Sequence, residues 1–208
     1  MSERIISPVN DNAEKQLTYR KMMGRYNMAI KYGFFYEAIM IAYAMIEDRL
    51  RAMIYHMGFL ANRKSISVWP KTKPFLTECV DENKEEQENL TLGVKSLSGK
   101  MKIVRCVYLW AEKVEKGYED KPFAVVLKSQ IEGTDVAAVL DVLKDIEKWK
   151  AGRNEIVHAM MNKNLASLEA VIEMYAVEGM RIARTLDAQE RLLKKGNVIR
   201  RKMNLPNK

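Results

Sequence analysis

The stretch AGRNEIVHAMM, residues 151–161, holds one of only two histidines in the chain, His158, five residues after Arg153 and four after Asn154. These side chains suit work on a phosphodiester. A guanidinium stays charged and forks onto phosphate oxygens, so it can stabilise charge as it develops on the phosphorus. An imidazole, with an ordinary pKa near 6.5, gives and takes protons at neutral pH. A carboxamide beside them can orient the ring or donate to the phosphate. Cleaving RNA without a metal needs these functions: removing the proton of a ribose 2′-hydroxyl, stabilising the phosphorane, and protonating the leaving 5′-oxygen. The products of such a reaction are a 2′,3′-cyclic phosphate and a 5′-hydroxyl.

The interval from arginine to histidine is by itself weak. Arg51 and His56 repeat it. With 13 arginines in 208 residues, a histidine meets one at any fixed offset about 6% of the time. An asparagine directly after the arginine, one of 12 in the chain, brings the chance for two histidines below about 1%. Only the copy at 153–158 has it. On a helix Asn154 sits one turn before His158 on the same face. Arg153 lies about 140° from His158 around the axis, although its long side chain can swing back toward a bound phosphate. Gly152, which costs roughly 0.5–1 kcal/mol in a helix interior, leaves room for another helix or a ligand to approach. His56 lacks the asparagine, sits in an apolar helix, and reads as a structural residue pairing with Glu47 or a backbone group.

The elements that must position these residues are helices. Glycine (10) and proline (5) are scarce and methionine (14) is abundant, which favours helix over turn-rich sheet. Apolar spacing predicts a helix over 11–32 with Asp11 or Asn12 as its cap, and a second over 34–60, apolar on every side in its first half. A third runs over 96–116 and is stopped by Gly117. A fourth runs from Thr134 or Asp135 to about Met161 and carries the motif. A fifth spans 165–193 and ends at Gly196. Residues 61–95 read as an irregular insertion with one short helix at most, running into the acidic DENKEEQENL. Trp69, Lys71 and Lys73 within it offer stacking and charge to RNA. Residues 118–133 read as a connection with a short extended piece at 123–127. The expectation is one all-α domain, an up-and-down bundle of four to five long helices over 1–208, with a basic tail at 194–208.

Net charge is +8, and its placement is uneven. From Arg181 to Lys208 nine positive residues face two acids, Asp187 and Glu190, so this segment alone carries +7. A basic end attracts polyanions, nucleic acid first among them. Arg191, Lys194, Lys195, Arg200, Arg201 and Lys202 are therefore the candidate RNA contacts. Glu47 and Asp48 are candidate supports, pairing with Arg153 or orienting His158. The longest apolar run, Ala38 to Ile46, is nine residues, too short to span a membrane. No secretory h-region opens the chain. Cys79 and Cys106 have neither disulfide-framework nor zinc spacing. These features point to a cytoplasmic protein with no cofactor and no metal.

Arg153-Asn154-Glu155-Ile156-Val157-His158 resembles the signature of the HEPN family, all-α domains with Arg-x4-6-His and commonly asparagine after the arginine. The likeness is specific over these six residues and looser over 34–193, where the bundle pattern places the motif just before the last long helix. The resemblance implies a homodimer whose two motifs face each other across a cleft. It implies a metal-independent endoribonuclease acting on single-stranded RNA, with Arg153, Asn154 and His158 catalytic. It further implies a toxin or antiviral effector, with an antitoxin or regulatory protein as partner. One departure stands out: members silenced by a nucleotidyltransferase antitoxin have tyrosine two residues after the histidine, and here Met160 leaves no hydroxyl to modify. The rival expectation is a non-catalytic helical dimer of the same kind that binds nucleotide or a partner protein. A DNA-binding helical protein is a third, resting on the basic tail alone.

Overall fold

The structure is a computed structural model that describes residues 12–81, 93–159, 162, 164–196 and 198–204. The chain folds into α1 (Asn12–Lys31), α2 (Phe35–His56), α3 (Lys73–Asp81), α4 (Leu97–Lys113), α5 (Pro122–Glu132), α6 (Val136–Ala159), α7 (Leu165–Gly196) and α8 (Val198–Lys202). Apart from an isolated bridge between Ser67 and Gly93, the described residues hold no β-structure, and the fold is an all-α bundle. No described helix is long and apolar enough to cross a membrane.

The five long helices form where apolar periodicity predicts them, and their ends have local causes. Gly33 and Gly117 turn the chain at φ 75° and 83°, which L side chains resist. Ser96 accepts from the Gly99 amide at 3.0 Å to cap α4. Asp135 caps α6 by accepting from Ala138 N at 2.9 Å. Asp11, one of the two caps proposed for α1, lies outside the described residues, as does Met160.

α7 is the spine. Contacts along its length fix how its neighbours run. Gly179 lies against Ala42, Asp187 meets Arg49 at 3.2 Å, and Glu190 meets His56 at 3.0 Å. α2 therefore runs parallel to α7. Trp149 Nε1 donates to Tyr175 O at 2.8 Å, Arg181 pairs with Asp145 at 2.5 Å, and Asp135 N donates to Gln189. α6 is therefore antiparallel to α7. α1 is antiparallel to α2 through Lys15–Asp48 and Arg25–Glu37. α4 is antiparallel to α6 through Lys150–Ser98 and Arg105–Glu147. Direction thus alternates between successive long helices except for α2 and α4, which run parallel. The core includes Ile46, Leu50, Ile54, Val104, Tyr108, Ile146, Trp149, Ala183 and Leu186.

Two segments depart from expectation. Residues 122–132 are helix, not a connection with an extended piece. Pro122 occupies the first turn of α5, where its missing N–H costs nothing. The basic tail is also not a free arm throughout. Val198–Lys202 is a short helix whose Ile199 and Arg200 are buried. Within 61–95, the expected short helix is α3, and its Phe75 joins an aromatic cluster with Phe59, Trp110 and Phe123 at centroid distances of 5.0 to 6.4 Å.

Candidate functional site

α6 places Arg153, Asn154 and His158 on different sides of one helix end. Its solvent stripe runs through Asp141, Lys144, Lys148, Ala151, Glu155 and His158, all exposed. Its inner stripe runs through Val139, Ile146, Trp149 and Ile156. Arg153 falls on the inner side and is half-buried. Its guanidinium lies over the Tyr43 ring of α2, 4.3 Å from the centroid. A cation over an aromatic face is held by the ring quadrupole. The Arg153 Nε is buried with no hydrogen-bond partner, and no carboxylate pairs with this arginine among the described residues. The contrast with its neighbours is sharp. Arg49 pairs with Asp48, Asp187 and Glu190, and Arg181 with Asp145 and Glu178.

Gly152 explains how Arg153 gets so far inward. A Cβ at 152 would collide with the Tyr175 hydroxyl and ring, so only glycine lets α6 and α7 close here without displacing that ring. Asn154 is half-buried on the flank facing α4, and its side chain engages no partner among the described residues. His158 is exposed near the helix C-terminus, and its backbone carbonyl accepts from Asn162 at 3.5 Å. Within one chain, then, Asn154 and His158 share a side, while Arg153 points about 140° away and 7.5 Å earlier along the axis by ideal helix geometry.

The surface around this end is apolar. Exposed large apolar residues are Met28 of α1, Tyr32 in the turn after it, Phe34 before α2, Met40 of α2, Val157 of α6, and Val171, Met174 and Val177 of α7. The helix directions bring these eight to one level of the bundle, the level of Arg153. Among the described residues, only Leu17, Ile66, Val125 and Leu192 are of this kind elsewhere. A concentration of apolar surface marks an interaction face.

The remaining predicted residues lie elsewhere. Glu47 is one turn beyond Tyr43, but its carboxylate takes the ammonium of Lys100 at 2.5 Å. Lys100 is 0% exposed, and a buried cation needs that partner. Asp48 pairs with Lys15 at 2.6 Å and with Arg49. Neither acid engages Arg153 or His158, and the supporting role expected of them is corrected. Arg200 is 1% exposed. It donates to the carbonyls of Tyr55 and Leu60 at 2.9 Å and Ala61 at 3.0 Å, and it stacks on Tyr55 at 3.9 Å. It is a structural clamp, not an RNA contact. Arg191, Lys194, Lys195, Arg201 and Lys202 are exposed; Arg191 pairs with Asp187 at 2.8 Å. They lie at the far end of α7, about 40 Å from His158 at 1.5 Å per residue. Lys71 sits over Trp69 at 5.4 Å, and neither contacts the motif.

Sequence reasoning missed a buried ionic cluster. His56 Nε2 lies 3.0 Å from Glu190 Oε1 and 2.9 Å from Arg63 Nη2, and Glu190 also accepts from Arg49 at 3.2 Å. The partner of His56 is thus Glu190, 134 residues away, not Glu47. Burial holds the His56 imidazole below its ordinary range, against the pull of Glu190. Burial pushes the Glu190 carboxyl up, but the hydrogen bond from His56, then the charges of His56, Arg49 and Arg63, outweigh it and bring it to about 2. No spacing rule reveals a pair so distant in sequence. The one available signal was an acid inside the apolar stripe of α7.

No protein-family model, no curated protein and no solved structure matches this chain.

Proposed function

We propose that the protein is a metal-independent endoribonuclease of HEPN type, active as a homodimer on single-stranded RNA, with Arg153, Asn154 and His158 as its catalytic residues. The observation that carries the reading is Arg153. A half-buried guanidinium pinned on Tyr43, with no carboxylate partner among the described residues, is a cation held ready for an anion. A phosphate oxygen is its natural complement. His158 is exposed on another side of the same helix end, where a second copy can reach it.

One chain presents these groups on different sides of α6, so it offers an incomplete site. Two chains meeting through the apolar end would bring the arginine of one copy to the histidine of the other. Burying Phe34, Met40, Val157 and Met174 would favour that meeting. In the reaction an imidazole takes the 2′-hydroxyl proton, and the oxygen attacks phosphorus. Arg153 holds the charge of the phosphorane. The same imidazole, now protonated, gives that proton to the leaving 5′-oxygen. Asn154, on the His158 side, orients the ring or the phosphate.

The exposed lysines and arginines near residues 191–202 are too distant to touch the same phosphodiester. Arg191, Lys194 and Arg201 fit a role in holding the strand further along, whereas Lys195 and Lys202 line a groove between α5, α7 and α8. The biological setting implied is toxin or defence effector in the cytoplasm, with a regulatory partner. The rival is a dimeric module that binds nucleotide or protein at the same end without cleaving. The test incubates wild type and His158→Ala with unstructured RNA in EDTA. Wild type should leave 2′,3′-cyclic phosphate ends, and the variant should be slower by about 10²–10⁴-fold, the usual contribution of acid–base catalysis. Intact RNA with wild type, or equal cleavage by both, refutes catalysis and leaves the binding module.

A further inference from the structure

At the end of the bundle remote from Arg153, α5, α7 and α8 enclose a groove of about 420 Å³, within the range of small-molecule sites, roughly 300–1,000 Å³. Each helix turns one stripe toward it. α5 contributes Val125 and Ser129, α7 contributes Leu192 and Lys195, and α8 contributes Val198 and Lys202. The spacings are four, three and four residues, so in every case an apolar and a polar side chain stand one turn apart on the same face.

The groove is held open by a polar frame that is already satisfied. The Gln130 amide at its base donates to His56 O at 3.2 Å and Leu193 O at 3.0 Å and accepts from Ile199 N at 3.1 Å. With the Arg200 clamp, it fixes α8 and therefore the positions of Val198 and Lys202. The side-chain donors left for a ligand are the Ser129 hydroxyl and two ammonium groups. Neither Lys195 nor Lys202 has an ion pair among the described residues, whereas Lys15, Lys100 and Lys144 do. Val125 and Leu192 are exposed in the mouth, apolar surface that a bound chain would cover.

We infer that this groove binds a small amphipathic anion, a carboxylate or phosphate monoester carrying a short aliphatic chain. The anion lies between Lys195 and Lys202, with Ser129 donating to it, and the chain covers Val125, Leu192 and Val198. The lining is aliphatic and offers no ring on which a nucleobase could stack, which sets it apart from a single-strand platform. The inference stands apart from the nuclease reading, because none of these residues approaches α6's C-terminal end.

The test is calorimetric titration of the full chain with decanoate and with decyl phosphate below their micellar concentrations. Inorganic phosphate and decanol serve as controls. At least one amphiphile should bind saturably at one site per chain, and the tighter of the two identifies the headgroup. Binding should weaken about tenfold or more in Lys195→Glu/Lys202→Glu and in Leu192→Asp, a loss of about 1.4 kcal/mol or more. Because the three side chains are exposed, both variants should keep the wild-type melting midpoint. The inference fails if neither amphiphile saturates, if inorganic phosphate binds as well as decyl phosphate, or if both variants bind like wild type. It also fails if a single-stranded oligonucleotide displaces the amphiphile and loses affinity in the lysine variant but not in Leu192→Asp, which would assign the groove to nucleic acid.

Discussion

Two glycines set how closely α7 packs on the helix that carries the motif, and they make different demands. At Gly179 an added Cβ would come 2.6 Å from Trp149 Cζ2 and 3.0 Å from the Ala42 Cβ. Those neighbours are a buried indole and a side chain fixed to its backbone, and neither can withdraw. Gly179→Ala should cost about 2–3 kcal/mol, the upper part of the usual range for overpacking. At Gly152 the obstacle is the outer end of the half-buried Tyr175 ring, which can swing away. Alanine also recovers up to about 1 kcal/mol of helix propensity there. Gly152→Ala should therefore be the milder change, at about 1 kcal/mol or less, and urea midpoints will rank the two. The motif stands out in the sequence because three residue types coincide within six positions. What the spacing could not reveal was that Arg153 leans on Tyr43, since that contact joins α2 to α6 and no local pattern records it.

Helices were legible wherever apolar periodicity ran long enough, as in α2, α6 and α7. The pattern failed on two short elements. α5 begins at a proline, and five of its apolar residues, Phe123 to Leu127, are consecutive, which hides a helical period of 3.6. α8 is only five residues long and so rich in cations that it reads as solvated tail. Its order comes from Ile199 and from the Arg200 guanidinium, which gathers three carbonyls. Removing that side chain leaves those acceptors without a charged donor. Arg200→Met should lower stability by about 3 kcal/mol, the order expected for buried acceptors stripped of a charged partner, and should free α8. Hydrogen exchange should show protection lost at Ile199. Exposed Arg201→Ala should leave both quantities unchanged, although the two arginines are adjacent and alike in sequence.

The bundle as a whole is tied together by the cluster joining α2 to α7 and the 57–65 loop, and this predicts an acid limit. His56 stays neutral in the folded chain below its ordinary range, so the unfolded chain takes up a proton near pH 6.5 that the folded one does not. Stability present above that pH is lost as pH falls below it. Glu190 holds its charge down to about 2, whereas the unfolded carboxyl protonates near 4.5. Its contribution is present above about pH 4.5 and disappears as pH falls toward 2. Urea midpoints should hold level above about pH 6.5, fall below it, and fall more steeply below about 4.5. Glu190→Gln should flatten the lower limb while reducing stability at neutral pH by about 3 kcal/mol, because it strips a buried pair of its charge.

The same geometry gives the catalytic proposal its sharpest consequence, since Arg153 and His158 diverge on one α6 and can cooperate only across two copies. The decisive measurement mixes Arg153→Ala chains with His158→Ala chains, each inactive alone, after brief denaturation and joint refolding. RNA cleavage in EDTA should return in the mixture and rise with the share of mixed dimers. A mixture as silent as its parents, beside an active wild type refolded in the same way, would contradict a site shared between two copies.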